Sequence, residues 1–381
     1  MDRRRGGGKR APEGLDRASR RADKTVMAAK TSGAQALSAL RWLLLPWWLA
    51  QVFTGEKSFW PNPILGALGL NRRGLAVWRG RLAHRMTARR RAQLQSLIPA
   101  ADRIAFERDG YVAKRGLLPP EVFAALVAEV GALSATAGEF KEGDAITRRI
   151  PLTPDLLARL PACRRLLQHP AFRGLTRYVG SFDAEPLVFI QTIFTQVDEG
   201  QADPQTSMHI DTFHPTMKAW LFLEDVAEED GPFAYAPGSH RRTPRREVWE
   251  RRLSIRASDP RTRKTGGAFR ITKPEMAALK SAKPKRFAVP ANTLVVADTY
   301  GFHARRPSAR PSMRLEIWAY SRGNPFMPWA RFDLSPARLW RGQAAAIGFG
   351  FMALRRRLGL PVPGFRQVAR VTPGAPPEPW P

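Results

Sequence analysis

Short apolar runs separated by turn residues occupy the middle of this chain. The run "KAWLFLEDV" (218–226) is apolar and aromatic, and it leads into the turn-rich "EEDGPFAYAPGSH". Farther on, "FAVPANTLVVADTYGFH" (287–303) predicts a strand, a turn and a buried strand. Helix-like segments lie outside this region, one Arg-rich (72–94) and one apolar with a basic end (344–360). The pattern therefore predicts β structure in the centre of the chain, with helices on either side.

His209 and Asp211 lie two residues apart, just before the first of these runs. Side chains alternate between the two faces of a strand, so both would point into one cavity while Ile210 points away. Two imidazoles and one carboxylate on one face of an iron(II) ion leave its other positions open for a co-substrate and dioxygen. A lone His-x-Asp pair also arises by chance on solvated strands, so the hypothesis of an iron site depends on a second, distant His.

His303 is the predicted distal ligand because it directly follows the buried strand. His240 is the main rival, but it ends a Pro-Gly-Ser turn and opens into the basic "RRTPRRE". His214 lies out of phase with the pair, and we expect it to line the pocket or to pack beneath the site. His84 and His169 lie in helix-like stretches, where surface or packing roles are expected.

Arg314 begins "RLEIWAY", an apolar and aromatic strand beyond the distal His. The usual partner of such an iron is 2-oxoglutarate, whose free carboxylate needs a cation, and Arg offers it two parallel charged hydrogen bonds. Arg310 is the alternative, although Pro311 after it disfavours a regular buried strand. Pairing of Arg314 with Glu316 along one strand face is a purely structural alternative.

Several motifs in this order resemble the phytanoyl-CoA dioxygenase family of iron(II)- and 2-oxoglutarate-dependent oxygenases. They span roughly residues 102–325 and read "FERDGYVAKRGLLPPEVFAAL", "QTIFTQ", "HIDTFH", "GPFAYAPGSHR", "YGFHA" and "SMRLEIW". The resemblance implies a mainly β fold with flanking helices, a double-stranded β-helix or jelly roll with helices packed on one face. It also implies that His209, Asp211 and His303 bind iron(II) and that Arg314 binds 2-oxoglutarate.

By the same resemblance, Gln191 faces 2-oxoglutarate from the strand before the metal pair. The nearby alternatives are Thr192, Thr195 and Gln196. The chain departs from the family at Arg305, where many members carry a small hydroxyl residue beside the co-substrate carboxylate. Either Ser308 or Ser312 takes that role, or Arg305 faces outward.

The retained Asp211 favours hydroxylation, because halogenating relatives replace this carboxylate by a small residue. The implied function is hydroxylation of an unactivated C–H bond of a small, anionic, acyl-like or lipid-like substrate, with release of succinate and carbon dioxide. No catalytic residue is predicted beyond the metal ligands.

The net charge of +29 is distributed unevenly along the chain. Residues 1–100 contain 20 Lys or Arg against 5 acids, residues 101–240 contain 13 against 20, and residues 241–286 contain 16 against 4. The last of these segments is an insert between the metal pair and the distal His, where a loop could cover the mouth of a jelly roll. A cationic lid would attract an anionic substrate by focused Coulomb attraction, and a solvated Arg-rich loop is the structural alternative.

Four regions follow from these patterns. Residues 1–33 are basic and lack apolar periodicity, which predicts a disordered tail. Residues 34–100 predict a helical basic extension, and residues 101–330 a jelly-roll dioxygenase domain that contains the insert. Residues 331–381 predict a helix followed by a flexible Pro-rich tail.

The extension contains an apolar, Trp-bearing stretch (36–53) that Arg41, Pro46 and Gln51 interrupt, so it is too broken for a membrane span. Tryptophans beside arginines suit a segment at a bilayer surface, and the Arg-rich stretch that follows would favour anionic lipids. The segment 344–354 repeats this theme. We expect a cytoplasmic protein, with peripheral contact at an anionic inner membrane surface and packing on the domain as the two open roles of these segments.

Composition limits the remaining function classes. With 381 residues, 44% of them hydrophobic, the chain can bury a sizeable core. The single Cys163 excludes an internal disulfide and fits a reducing compartment, and its helix-like surroundings indicate packing. Net charge alone would permit nucleic-acid binding, but no recognised motif supports it, so no specific nucleic acid is expected. A non-catalytic jelly roll that binds a ligand or a partner is the main alternative to an enzyme.

Overall fold

The computed structural model of the chain describes residues 43–60, 62–262, 268–331 and 343–380. The described residues up to Gln51 and those from Val52 onward belong to two separate units. The basic tail predicted for residues 1–33 lies outside the described residues. Among the described helices, none combines the length and the apolar character needed to cross a bilayer.

Helices flank the strands at both ends of the described chain. They are α1 (Leu45–Val52), α2 (Leu68–Arg72), α3 (Leu75–Gln93), α4 (Ala100–Asp109), α5 (Pro120–Gly131), α6 (Pro154–Ala158), α7 (Pro161–Gln168), α8 (Pro170–Gly180), α9 (Pro244–Ser258), α10 (Lys273–Ala278) and α11 (Ala344–Arg357). Short 3-10 turns lie at Gln95–Leu97, Pro204–Thr206 and Glu228–Asp230. Helices α5 to α10 each carry Pro at their first or second position, where its fixed φ suits the first turn.

The strands form two antiparallel sheets. They are β1 (Tyr111–Lys114), β2 (Ala135–Glu142), β3 (Ala145–Pro151), β4 (Leu187–Thr195), β5 (Met217–Phe222), β6 (Phe233–Tyr235), β7 (Lys285–Arg286), β8 (Thr293–Asp298), β9 (His303–Arg305), β10 (Ser312–Ser321) and β11 (Phe365–Val371). The described residues give a large sheet in the order β1-β8-β5-β10-β4-β3-β2-β11 and a small one in the order β7-β6-β9.

The two sheets face each other across an aromatic core. Trp220 on β5 packs against Phe233 on β6 with ring centroids 4.2 Å apart. The opposite face of the large sheet packs on α5, α7 and α8 through a second core that includes Leu126, Leu175 and Ile317. Alternate residues of β4, β5, β8 and β10 contribute to the two cores, as the period of a strand requires. The expected mainly β jelly roll with flanking helices is confirmed, but the helices do not all lie on one face, because α11 packs on the aromatic core through Phe349.

Arginines of α3 are packed within the unit that begins at Val52. Arg90 donates to the carbonyl oxygens of Ser181 and Pro325, both at 3.1 Å. Arg91 forms an ion pair of 2.9 Å with the buried Asp298. Part of the Arg-rich stretch that was expected to favour anionic lipids therefore makes internal contacts instead.

The described part of the basic insert is largely helical, in α9 and α10. Trp249 on α9 packs with Ile210 and Phe302 in a third core, next to the residues of the predicted metal site. The described residues of the insert contribute no wall to the cavity beside the metal pair. In these residues the expected cationic lid is not seen.

The Pro-rich end is held against the large sheet. Arg148 on β3 donates to the carbonyl oxygens of Thr372 and Pro373, and Oγ1 of Thr192 donates to Pro373 at 2.8 Å. Arg148 also forms a buried ion pair with Glu139 at 2.7 Å. The prediction of a flexible tail is wrong because residues 372–375 find these partners on strands that are distant in sequence.

Candidate metal centre

His209 and His303 face each other across a short backbone pairing. The N–H of His209 donates to the carbonyl of His303 at 2.9 Å, and the N–H of His303 donates back at 3.0 Å. His303 begins β9, whereas His209 forms an isolated bridge and Asp211 lies in a bend. The sequence predicted that the pair lies in a regular strand, and in the structure it does not. The expected alternation still holds, because Ile210 is fully buried in the third core with Trp249.

Three side chains with metal-binding atoms converge at this pairing. Nε2 of His209 and Nε2 of His303 lie 3.8 and 3.6 Å from Oδ1 of Asp211. One ligand atom from each residue lies within 4.8 Å of the others, and all three residues are buried. These separations are close to those of ligands that share one ion at about 2 Å from each.

Each imidazole is oriented by the backbone through its other nitrogen. Nδ1 of His209 lies 2.8 Å from the carbonyl oxygen of Ser207, and Nδ1 of His303 lies 2.9 Å from that of Gly301. A carbonyl only accepts, so Nδ1 carries the proton and Nε2 keeps a lone pair directed at the centre. Nε2 of His303 is buried without a hydrogen-bond partner. Such an arrangement fits a metal ion.

The surroundings keep the ligands in protonation states that suit metal binding. Burial and the nearby His303 lower the pKa of His209 to about 3, so its imidazole is neutral at neutral pH. Burial alone would raise the pKa of Asp211, but Lys218 and His303 outweigh it and hold that pKa well below its ordinary value. Nζ of Lys218 lies 2.8 Å from Oδ2 of Asp211. The site therefore combines a neutral imidazole with an ionised carboxylate.

The two rival histidines lie outside this cluster. His240 packs on Phe106, with ring centroids 5.5 Å apart. His214 is buried edge-on against Phe213, with ring centroids 4.9 Å apart, and does not line the cavity. Of the histidines weighed for the distal position, the structure brings only His303 to the pair.

A cavity of about 120 Å³ opens beside the two clustered histidines. Its wall contains His209, His303 and both residues predicted to face 2-oxoglutarate, Arg314 and Gln191. The register explains this convergence, because Gln191 on β4 pairs with Glu316, which lies two residues from Arg314 on the same face of β10. The other lining residues are Glu142, Arg149, Ile193, Gln205, Lys218, Trp220, Phe233, Ala304, Arg305, Glu316 and Trp318.

Arg314 is 4% exposed, and its Nε has no hydrogen-bond partner. Burial lowers the pKa of Arg314 to about 10 against the opposing effect of Glu316, so the guanidinium remains charged at neutral pH. Glu316 instead accepts a hydrogen bond from Nε2 of Gln191 at 2.5 Å. Arg310, the alternative, is exposed and pairs with Asp230 at 3.0 Å. A buried guanidinium with an unpaired N–H fits the carboxylate of a co-substrate.

Gln191 lies at the centre of a hydrogen-bonded row that crosses three strands. Nε of Arg149 on β3 donates to Oε1 of Gln191 at 2.7 Å, and Gln191 donates onward to Glu316 on β10. Both polar ends of Gln191 are therefore engaged within the protein. The three alternatives do not line the cavity; they are Thr192, Thr195 and Gln196.

Arg305, where the chain departs from the family pattern, faces the cavity and not solvent. It forms an ion pair of 2.7 Å with the buried Asp203. Ser308 and Ser312 lie within hydrogen-bond distance of each other, at 3.1 Å, and do not line the cavity. Neither serine therefore takes the place of the missing hydroxyl residue in the cavity wall.

Three charged residues of the cavity wall were not predicted from the sequence, namely Glu142, Arg149 and Lys218. Lys218 interrupts an apolar strand directly after the metal pair, which is a signal that could have identified it. Arg149 carries no such local signal, because its partner Gln191 comes from the neighbouring strand.

The segment that carries two of the three predicted ligands matches a known protein family. Residues 106–274 match the family model described as phytanoyl-CoA dioxygenase (PhyH). The matched segment contains His209 and Asp211 and ends before His303. A search of curated proteins found no match.

The chain is also similar to solved structures. The epimerase SnoN, in complex with Fe3+, α-ketoglutarate and nogalamycin RO, is 21% identical over 60% of this chain and 83% of SnoN, with a TM-score of 0.37. HygX from Streptomyces hygroscopicus, with nickel and 2-oxoglutarate bound, is 16% identical over 58% of this chain and 86% of HygX, with a TM-score of 0.37. AviO1 from Streptomyces viridochromogenes Tue57 is 19% identical over 59% of this chain and 96% of AviO1, with a TM-score of 0.33.

Proposed function

Because residues 106–274 belong to the phytanoyl-CoA dioxygenase family of iron(II)- and 2-oxoglutarate-dependent oxygenases, we propose that the chain hydroxylates an unactivated C–H bond of a small anionic substrate. The main support is the convergence of His209, Asp211 and His303 beside a cavity that also contains the buried Arg314. Three ligands on one side of an iron ion leave room for a co-substrate and dioxygen.

The residues of the chain have separate tasks in this proposal. His209, Asp211 and His303 would hold iron(II), and Arg314 would bind the free carboxylate of 2-oxoglutarate, with Gln191 beside it. When bound, iron(II) and 2-oxoglutarate supply the oxidation, in which dioxygen gives one oxygen atom to the substrate and one to 2-oxoglutarate, which leaves as succinate and carbon dioxide. The aromatic side chains of the cavity wall exclude water from the reacting carbon.

The position of Arg149 is the observation that favours a negatively charged substrate. Its guanidinium carbon lies 4.3 Å from the ring centre of Trp318, and it lines both the metal cavity and an adjoining cavity of about 270 Å³. Within the described residues Arg149 has no ion-pair partner, while the carboxylates of Glu142 and Glu316 are hydrogen-bonded to glutamines. A fixed cation between the two cavities favours a carboxylate or phosphate group of the substrate.

Substrate-stimulated release of succinate tests this proposal. Small carboxylates and phosphate esters would be compared with their neutral esters or alcohols, and the product would be checked by mass spectrometry for one added oxygen atom. The anionic compounds should be preferred, and Arg149→Met should lower kcat/KM for them by a larger factor than for the neutral analogues, because its loss of the hydrogen bond to Gln191 affects both classes alike. Equal turnover of both classes, or an equal effect of the substitution on both, would contradict the assignment.

We further propose that α11 contacts an anionic membrane, which would place the protein at the inner, cytoplasmic surface. Phe349 packs this helix on the domain, whereas Ile347, Phe351 and Leu354 are 51, 59 and 52% exposed. The arginines Arg355–Arg357 follow directly. An apolar strip beside positive charge is typical of helices that lie at a lipid surface.

Co-sedimentation with vesicles tests this contact. The chain should pellet with vesicles that contain phosphatidylserine and not with vesicles of phosphatidylcholine alone. Phe351→Ser should weaken the binding, whereas Val248→Ser, which changes an exposed apolar residue of α9, should not. Binding that does not depend on lipid charge, or that both substitutions weaken equally, would refute the proposal.

A further inference from the structure

We infer that the N-terminal extension, here residues 52–60 and 62–100, is part of the metal centre because it holds both halves of the ligand set in place. The inference rests on the metal site of the proposed function. The extension precedes the segment that matches the family model, which begins at residue 106. Two contacts carry the argument, one on the side of His303 and one on the side of Asp211.

The first contact joins α3 to the loop that precedes the distal His. One terminal nitrogen of Arg91, Nη2, lies 2.9 Å from Oδ2 of Asp298 and also donates to the carbonyl of Val179 at 2.6 Å. The Asp298 side chain is 1% exposed, so its charge is shielded from water and Arg91 is its ion-pair partner. Removing Arg91 would leave a buried carboxylate uncompensated, which is costly.

Asp298 in turn organises the loop that the ligands depend on. Its Oδ1 accepts a hydrogen bond from the backbone N–H of Tyr300 at 3.0 Å. The next carbonyl, that of Thr299, accepts the N–H of Asp211 at 3.1 Å, and the carbonyl of Gly301 fixes Nδ1 of His303 at 2.9 Å. A shift of this loop would therefore move two of the three ligands together.

The second contact joins the extension to Asp211 directly. Nζ of Lys57 donates to the carbonyl oxygen of Asp211 at 2.9 Å. The segment that carries Lys57 is itself held by the buried Arg79 of α3, which donates to the carbonyls of Val52 at 2.8 Å and Glu56 at 2.9 Å. The guanidinium of Arg79 also lies 4.2 Å from the ring centre of Phe213, two residues beyond Asp211.

Arg91 and Lys57 are thus positioning residues, which act on the metal through the loop and the ligand backbone. Partners that orient metal ligands typically change metal affinity by about 10- to 100-fold when they are removed. We expect an increase of that order in the Kd for cobalt(II), used as a spectroscopic substitute for iron(II), in Arg91→Met. A smaller increase is expected in Lys57→Met, because its hydrogen bond reaches only the backbone.

Cobalt(II) titration of the full-length chain, followed by visible absorption, tests this inference. Arg90→Met is the control on the same helix, because Arg90 is more deeply buried than Arg91 but binds Ser181 and Pro325, away from the ligand loop. Arg89→Met changes an exposed arginine of the same helix. All titrations are run well below each variant's Tm, so that global unfolding does not contribute.

The expected result is a weaker Kd and an altered cobalt(II) absorption spectrum in Arg91→Met, partial recovery in Arg91→Lys, and wild-type binding in both control variants. If Arg91→Met lowers Tm but binds cobalt(II) like the wild type, the residue is merely structural and the inference is overturned. The proposed function fails separately, if the wild-type chain binds metal normally but never converts 2-oxoglutarate to succinate.

Discussion

Nζ of Lys218 lies 2.8 Å from Oδ2 of Asp211. The other oxygen, Oδ1, faces Nε2 of both His209 and His303 at less than 4 Å. The carboxylate therefore presents one oxygen to the centre while the lysine engages the second. A carboxylate that offered a metal ion only Oδ1 would leave more coordination positions open than one that bound through both oxygens.

The choice of distal ligand predicts different outcomes for two buried histidines. His303→Ala should weaken cobalt(II) binding by more than about 100-fold, because it removes a ligand and not only an orienting partner. His240→Ala should leave binding within a few-fold of the wild type, since its ring packs on Phe106 away from the cluster. Isothermal titration of both variants makes the comparison, and the reverse ranking would make His240 the ligand.

The two arginines weighed for 2-oxoglutarate also predict different kinetics. Arg314→Met should raise KM for 2-oxoglutarate by roughly 10- to 100-fold, the loss expected for hydrogen bonds to a charged group. Arg310→Met should have little effect, because Arg310 is exposed and pairs with Asp230. Cobalt(II) affinity without 2-oxoglutarate should be unchanged in both variants. A raised KM in Arg310→Met alone would reverse the assignment.

Gly301 has no room for a side chain next to the distal His. A Cβ at this position would lie 1.8 Å from the hydroxyl oxygen of Tyr235. This tyrosine is buried, and its hydroxyl donates to the backbone carbonyl of Asp298 at 2.8 Å. Gly301→Ala should therefore lower the free energy of unfolding by about 1–3 kcal/mol and weaken metal binding through His303. Denaturant unfolding measures the first effect and cobalt(II) titration the second.

Gly348 provides the control for that substitution. It lies in α11, and a Cβ there would meet no atom within 4 Å. Gly348→Ala should raise the free energy of unfolding by up to about 1 kcal/mol, because Ala favours the helix. Equal changes in the free energy of unfolding of the two variants would contradict the close contact between position 301 and Tyr235.

Cys163 should be inert in the folded protein. Its side chain is fully buried, and burial raises the pKa of the thiol, with Glu129 adding to the effect. Because the thiolate is the reactive form, a raised pKa lowers reactivity at any given pH below it. An Ellman titration should detect no thiol in the native chain and one after denaturation. Rapid reaction of the native chain would contradict the buried placement.

The elements that sequence reasoning identified are those with short-range signals. The His209–Asp211 pair, the buried strand before His303 and the strand that Arg314 begins have local signals in spacing and apolar runs, and the resemblance to the family joined them into one site. The row Arg149–Gln191–Glu316 could not be predicted, because it depends on the register of three strands.

Long-range partners also explain the wrong expectations. The C-terminal end was expected to be flexible because it is rich in proline, yet Arg148 supplies donors to its carbonyls from β3. Arg91 was grouped with a surface-like basic helix, because no local pattern shows that Asp298 lies beside it. The charge of a segment does not by itself distinguish arginines that face solvent or lipid from arginines that hold backbone inside the fold.

We propose that His209, Asp211 and His303 hold the iron(II) ion on which the conversion of 2-oxoglutarate depends. The most direct measurement is succinate release by the full-length chain, reconstituted anaerobically with iron(II) and 2-oxoglutarate and then exposed to dioxygen in a substrate screen. The wild-type chain should release succinate only when iron(II) is present, and His209→Ala and Asp211→Ala should abolish the release. Turnover that survives both substitutions would contradict the site, and no iron-dependent release from the wild type would contradict the function.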